Sequence, residues 1–117
     1  MMTSLEIWNR VTEAIQTTHT VYLSYIKKGG VIVGHEVAPL DIFVKIRADG
    51  RRVEYLFGHR LDLSRWERGG RTERQFLLDQ ILSLAVADHL FNPWDFIDPA
   101  RPEPRWTIRR TWVKKAA

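Results

Sequence analysis

The chain has 117 residues, 44% of them apolar, and a formal net charge of +4. That length supports one domain with one real core. The absence of cysteine excludes disulfides and thiolate metal sites and suits a reducing cytoplasm. No stretch approaches the ~18 uncharged apolar residues of a membrane span, and acidic Glu6 interrupts what would have to be the apolar segment of a signal peptide.

The first element is a helix over about residues 4–16. Thr3 and Glu6 have capping-box spacing, and Leu5, Ile7, Trp8, Val11, Ala14 and Ile15 form a stripe near the 3.6 period. Threonines 17, 18 and 20 are poor helix formers and end it. The pattern then changes to strands. "TVYLSYI" is β-branched and aromatic, and Lys27 to Gly30 read as a turn. "VIVGHEVA" follows, and Pro39 is expected to interrupt its pairing. "LDIFVKIR" alternates, with Leu40, Ile42, Val44 and Ile46 on one face and Asp41, Phe43, Lys45 and Arg47 on the other. Asp49-Gly50 signals a tight hairpin, which makes "VEYLFG" the return strand. Tyr55 is expected to be core with its hydroxyl at the rim, and Gly58 to let the strand bend sharply.

Residues 60–73 are polar and broken by Gly69-Gly70, so they form a connection. "RQFLL" is another strand. "DQILSLAVADHLF" favours a helix on propensity, but a turn at Asp79–Ile81 followed by a short strand fits equally well. "NPWDFIDPARPEP" is proline-rich and irregular. In "RWTIRRTWVKK" the alternation returns: Trp106, Ile108, Arg110 and Trp112 oppose Thr107, Arg109, Thr111 and Val113. One helix and about five short antiparallel strands imply a mainly β fold, a strongly bent sheet or small barrel.

Charge is unevenly distributed. Residues 45–74 hold nine basic and five acidic side chains, residues 75–100 no basic and four acidic, and residues 101–117 six basic and one acidic. Two basic blocks thus flank an acidic one, which reads either as the footprint of a polyanion partner or as a solvated surface that favours solubility. Catalytic signatures are missing. Histidines 19, 35, 59 and 89 lack metal-ligand spacing. Ser24, Ser64 and Ser83 have no nucleophile elbow, and the glycine pairs are hairpin material. The expectation is a protein that is not an enzyme and needs no cofactor or metal.

Several pieces in order resemble the WYL domain family. They are the helix, the strand ending in Tyr25, "EVAPLDI", "EYLFGHR" in the place of the Trp-Tyr-Leu signature, "RQFLLDQILSL" and "HLFNPWDF". The resemblance covers about Trp8 to Phe96. It implies a small SH3-like or Sm-like antiparallel β-barrel with an N-terminal α-helix. The WYL-like domain would span 1–98, with its barrel over about 20–87, and a basic Trp/Arg-rich tail would follow at 99–117. It also implies that Leu82–Ala87 is a strand despite its helix propensity. Glu54 stands where the signature has tryptophan, and Gln80 where an arginine precedes the isoleucine. The chain reads as a solitary WYL-like domain, without the helix-turn-helix or the C-terminal extension of WYL-type regulators.

The family implies a cytoplasmic ligand sensor that binds single-stranded nucleic acid or a nucleotide and modulates transcription or phage defence, including CRISPR systems. Phosphates need arginine forks, and bases need aromatic faces. Tyr25, His59 and Arg74 sit on motif-matching positions, joined by Arg60 and His35. Each also has a plain structural reading, such as His59 capping a strand end or Arg74 pairing with Glu73 or Asp79. In the tail, Trp106, Arg109, Arg110 and Trp112 suit base stacking with phosphate neutralisation, or a packed strand with Arg109, Arg110, Lys114 and Lys115 left wet. The competing reading is a protein-interaction module. It would dock onto a DNA-binding or effector subunit, or form a homodimer through the tail.

Overall fold

A computed structural model describes residues 2–62 and 72–112 of the chain. Most of the 60–73 connection, and Lys114 and Lys115, fall outside the described residues. Helix α1 (Ser4–Thr17) comes first, followed by strands β1 (His19–Ile26), β2 (Ile32–Ile46), β3 (Arg52–Arg60), β4 (Glu73–Leu77) and β5 (Ile81–Leu90). Short 3₁₀ turns occupy Leu78–Gln80 and Pro93–Asp95. The expected capping box is present: Thr3 accepts from Glu6 N, and Glu6 reaches back to Thr3. Thr18 closes the helix in the left-handed region, φ 54°, with its N–H turned back on the last carbonyls. Segment 81–90 is a strand, as the resemblance implied against propensity.

The five strands form one antiparallel sheet in the order β4-β3-β2-β1-β5. A flat sheet would hold its end strands about 19 Å apart at ~4.8 Å per strand. Yet β4 and β5 are joined by three residues of 3₁₀ helix, which span only ~6 Å. The sheet must therefore coil until its ends meet at that corner. No register of hydrogen bonds joins β4 to β5, so the sheet is not closed.

The expected break at Pro39 is instead a bulge within one 15-residue strand. β2 pairs with β1 through residues 32–37 and with β3 through residues 37–46. Proline has no N–H to donate, and the register slips between Pro39 and Asp41. As a result Leu40 and Asp41 are both buried, although simple alternation puts them on opposite faces. Gly58 lies opposite Pro39. A Cβ there would come 2.5 Å from the Ala38 carbonyl oxygen and 2.8 Å from Val37 Cγ1. Glycine is required by space at this crossing.

The main core joins Ile7, Val11 and Ile15 of α1 to Val21, Leu23, Val37, Ile42, Leu56, Phe76 and Leu84, and it includes Ile108 from the tail. Each such side chain contributes on the order of 1.5–3 kcal/mol by burial. A smaller cluster on the opposite face joins Ala38, Leu40 and Phe91, with Phe57, Phe96, Trp106 and Trp112 against it. Among the described residues no helix is long and apolar enough to cross a membrane.

Candidate ligand-binding site

Cross-strand partners share a face, so register assigns the expected site residues. His35 pairs with Leu23, Arg60 with Val37, and Arg74 with Gly58. Tyr25 lies two residues beyond Leu23. Tyr25, His35, Arg60 and Arg74 therefore lie on the inner face, around Phe76. The Phe76 ring meets Tyr25 edge-on at 5.3 Å and lies 5.8 Å from His35.

Two anchored pairs define this cluster. The Tyr25 hydroxyl donates to Gln80 Oε1 at 2.5 Å and accepts from Leu77 N at 3.4 Å. Gln80, which replaces the family arginine, thus fixes the tyrosine across the β4–β5 corner. Arg60 grips Asp62 with two hydrogen bonds, Nε to Oδ1 at 3.0 Å and Nη2 to Oδ2 at 2.9 Å. His35 is buried, and its Nδ1 lies 3.2 Å from the same Oδ2. Arg60's hydrogen bonds hold the Asp62 carboxyl down at about 2, against the opposing effect of partial burial, and His35 adds to the lowering. Arg74 Nη1 donates to the Glu73 carbonyl at 2.5 Å. A hollow of about 570 Å³ reaches His35 and Asp62 and runs on past Tyr22, Ser24, Glu36 and Ser83. Tyr25, Arg60 and Arg74 do not line it.

His59 lies on the other face. It pairs with Ala38 and Glu73, stacks on Phe96 at 4.5 Å and contacts Thr72 Oγ1 at 2.9 Å. Burial lowers its pKa below 6.5, with Glu73 opposing. Glu54, at the signature's tryptophan position, accepts from Trp8 Nε1 of α1 and from Ser4 Oγ at 3.4 Å.

The tail packs on its own fold without forming a strand over residues 101–112. Trp112 Nε1 donates to the Ile15 carbonyl at 2.7 Å, and Gln16 reaches the Arg109 carbonyl at 3.3 Å. The expectation of a wet Arg110 is corrected here. Its side chain is 3% exposed and paired with fully buried Asp41 at 3.2 Å. Asp41 also accepts from Thr107 N at 2.9 Å and Ile108 N at 3.0 Å, while Arg110 donates to the Leu40 and Ile108 carbonyls. The guanidinium lies 3.8 Å from the Trp106 ring centroid and 4.5 Å from that of Trp112. Burial lowers Arg110 to about 10, with Asp41 pulling the other way. Arg110, Trp106 and Trp112 thus hold the tail down, and Arg109 is exposed. A hollow of about 640 Å³ lies beside them, lined by Gln16, Trp106, Arg109, Arg110 and Thr111.

Asp62 and Gln80 complete the inner cluster and were not singled out as site residues by sequence. Arg60-x-Asp62 spacing at a strand end was the available signal for the first. Among the described residues no three His, Cys, Asp or Glu side chains gather as a metal site.

Placed among known proteins, this is a mainly β domain with one N-terminal helix and a five-stranded antiparallel sheet. No protein-family model and no curated protein matches its sequence. Its fold is similar to the solved structure of proteasome accessory factor B/C (PafBC) of Arthrobacter aurescens, at 17% identity and a TM-score of 0.58. The match covers 89% of this chain and 14% of that chain. At that identity the likeness is one of fold, and this chain spans a small part of its neighbour's length.

Proposed function

We propose that the chain is a non-enzymatic, cytoplasmic regulatory domain of WYL type, with a small SH3-like or Sm-like barrel, whose inner-face cluster binds a phosphate-bearing ligand. The ligand class is a nucleotide or a nucleic-acid strand, and the output is control of transcription or of a phage-defence system. The observation that carries the reading is the Arg60–Asp62–His35 group. A guanidinium fork and an imidazole converge on one carboxylate, which stands where a ligand's anionic group would stand. Tyr25 beside it is half-buried and offers a ring and a hydroxyl. The fold shared with proteasome accessory factor B/C is compatible with the reading. The tail, docked on its own helix and sheet, counts against its use as a free hook for a partner or a second copy.

Isothermal titration with mononucleotides, cyclic nucleotides and 5′-phosphorylated oligonucleotides at about 20 mM salt tests this, because electrostatic attraction is strongest there. Binding that weakens in folded Arg60→Ala and Arg74→Ala variants is the expected result. Absence of binding to every probe contradicts it. A collapse of thermal stability in Arg74→Ala would assign that arginine to the scaffold.

A further inference from the structure

The outer face of the β2–β3 hairpin is untouched by the inner cluster. Alternation places Val53, Tyr55, Phe57 and His59 on this face of β3. Pairing sets Phe43 beside Tyr55 and Lys45 beside Val53. The rings form a continuous row: Phe43 stacks on Phe57 at 5.2 Å, Phe57 meets His59 at 6.2 Å, and His59 stacks on Phe96 at 4.5 Å. The lower end of the row is covered, since Phe57 and Phe96 pack on the smaller core. The upper end is open. Phe43 and Tyr55 are half-buried and belong to neither core. The Tyr55 hydroxyl has no hydrogen-bond partner among the described residues, unlike that of a core tyrosine.

This open end is basic. Lys45 Nζ lies 5.1 Å from the Tyr55 ring centroid. Arg47 and Arg51 are exposed at the hairpin tip and have no ion-pair partner among the described residues. Asp49 is the one acid between positions 45 and 52. Arg52 leans towards Glu54, at 3.8 Å, on the opposite face. The exposed aliphatic residues Val44 and Ile46 also point to that opposite face. The outer face therefore offers aromatic planes rimmed by uncompensated cations, without an aliphatic patch for a protein partner. Unpaired bases with their phosphates match both properties. A duplex does not, because its base faces are already stacked.

We propose that this face is a second binding surface, which takes unpaired bases of a single-stranded nucleic acid on Phe43 and Tyr55 and its phosphates on Lys45, Arg47 and Arg51. It lies on a different face from the anion cluster, and either site can fail alone.

The test is fluorescence anisotropy with a fluorescein-labelled twelve-residue oligothymidylate and the full chain, over a salt series starting at about 20 mM. Phe43→Leu and Tyr55→Leu keep apolar bulk and remove the ring, and each is expected to weaken binding about tenfold or more. Neutralising Lys45, Arg47 and Arg51 together to glutamine should make the log–log salt slope shallower by about two. Mononucleotide binding at the inner cluster should not change in any of these variants. The proposal is overturned if wild type ignores the oligothymidylate or binds duplex of equal length as tightly, or if the leucine variants bind like wild type. Should the leucine variants unfold, the exposed glutamine triple decides. An unchanged affinity and salt slope in that variant also overturns the proposal.

Discussion

Asp41→Ala should be among the most damaging single changes in this chain. Its carboxylate is fully buried and accepts from two backbone N–H groups and from Arg110. Removing it strands the Arg110 guanidinium, whose side chain is 3% exposed. Breaking one side of a buried pair costs about 3–5 kcal/mol. Each orphaned N–H adds about 1–3 kcal/mol at most, and these losses overlap because all three donors share one acceptor. A net loss of about 3–5 kcal/mol is expected, a large part of a domain's usual 5–15 kcal/mol. Arg110→Met leaves the buried Asp41 carboxylate with only its two backbone donors and should be destabilising as well, and Asp41→Ala combined with Arg110→Met should recover part of the single loss. Urea unfolding followed by tryptophan fluorescence measures all three, since Trp106 and Trp112 report on the tail directly. A loss below about 1 kcal/mol for Asp41→Ala, or strict additivity in the double variant, would refute the idea that this buried pair fastens the tail.

Gly58→Ala places a methyl group against the Ala38 carbonyl, with no flexible neighbour to yield. A loss of about 1–3 kcal/mol is expected from overpacking, read as a lower melting temperature. Asp62→Asn removes the charge held by Arg60 and should raise affinity for phosphate-bearing probes severalfold in titration calorimetry; weaker binding would make Asp62 part of the ligand contact. Asp62's folded pKa, about 2, lies below its ordinary 3.8. Its stabilising contribution is thus present above pH 4 and lost as pH falls towards 2, on the order of 1 kcal/mol after solvent screening of a part-exposed carboxylate. Wild type and Asp62→Asn should converge in stability over that window. His59 is also lowered from its ordinary 6.5, so the unfolded chain takes up protons first and stability falls as pH drops below about 6.5. NMR titration should find His59 below 6.5, and His59→Phe should flatten that part of the stability profile.

Local rules carried the elements well. The capping box, the Asp49-Gly50 hairpin and the strands on either side of it appear where spacing put them, whereas the alternating tail forms no strand. The misplacement of Asp41 and Arg110 has one cause, which is a non-local partner. Alternation in "LDIFVKIR" put Asp41 on a face with Lys45 and Arg47, but a bulge at Pro39–Asp41 and an arginine 69 residues away bury it. The tail shows the complementary sign, because Arg110 shares the parity of Trp106, Ile108 and Trp112. Arg110 was the one charge on that apolar face of the tail, which was the legible hint of a buried partner. Tyr55, expected in the core, lies on the outer face under Lys45, because a coiled sheet with one helix inside cannot cover both sides of β3. His59, grouped with Tyr25 and Arg74 by motif, differs in strand parity from Arg60, so the two face opposite ways.

The inner cluster is tested most directly by two-dimensional NMR of the labelled chain titrated with a 5′-phosphorylated mononucleotide, watching arginine Nε–Hε and histidine ring signals. Saturable shifts are expected at Arg60, Arg74 and His35, with smaller ones at the Tyr25 and Gln80 amides and none at buried Arg110. Saturable shifts confined to other surfaces, with Arg60 and His35 unmoved, would contradict it.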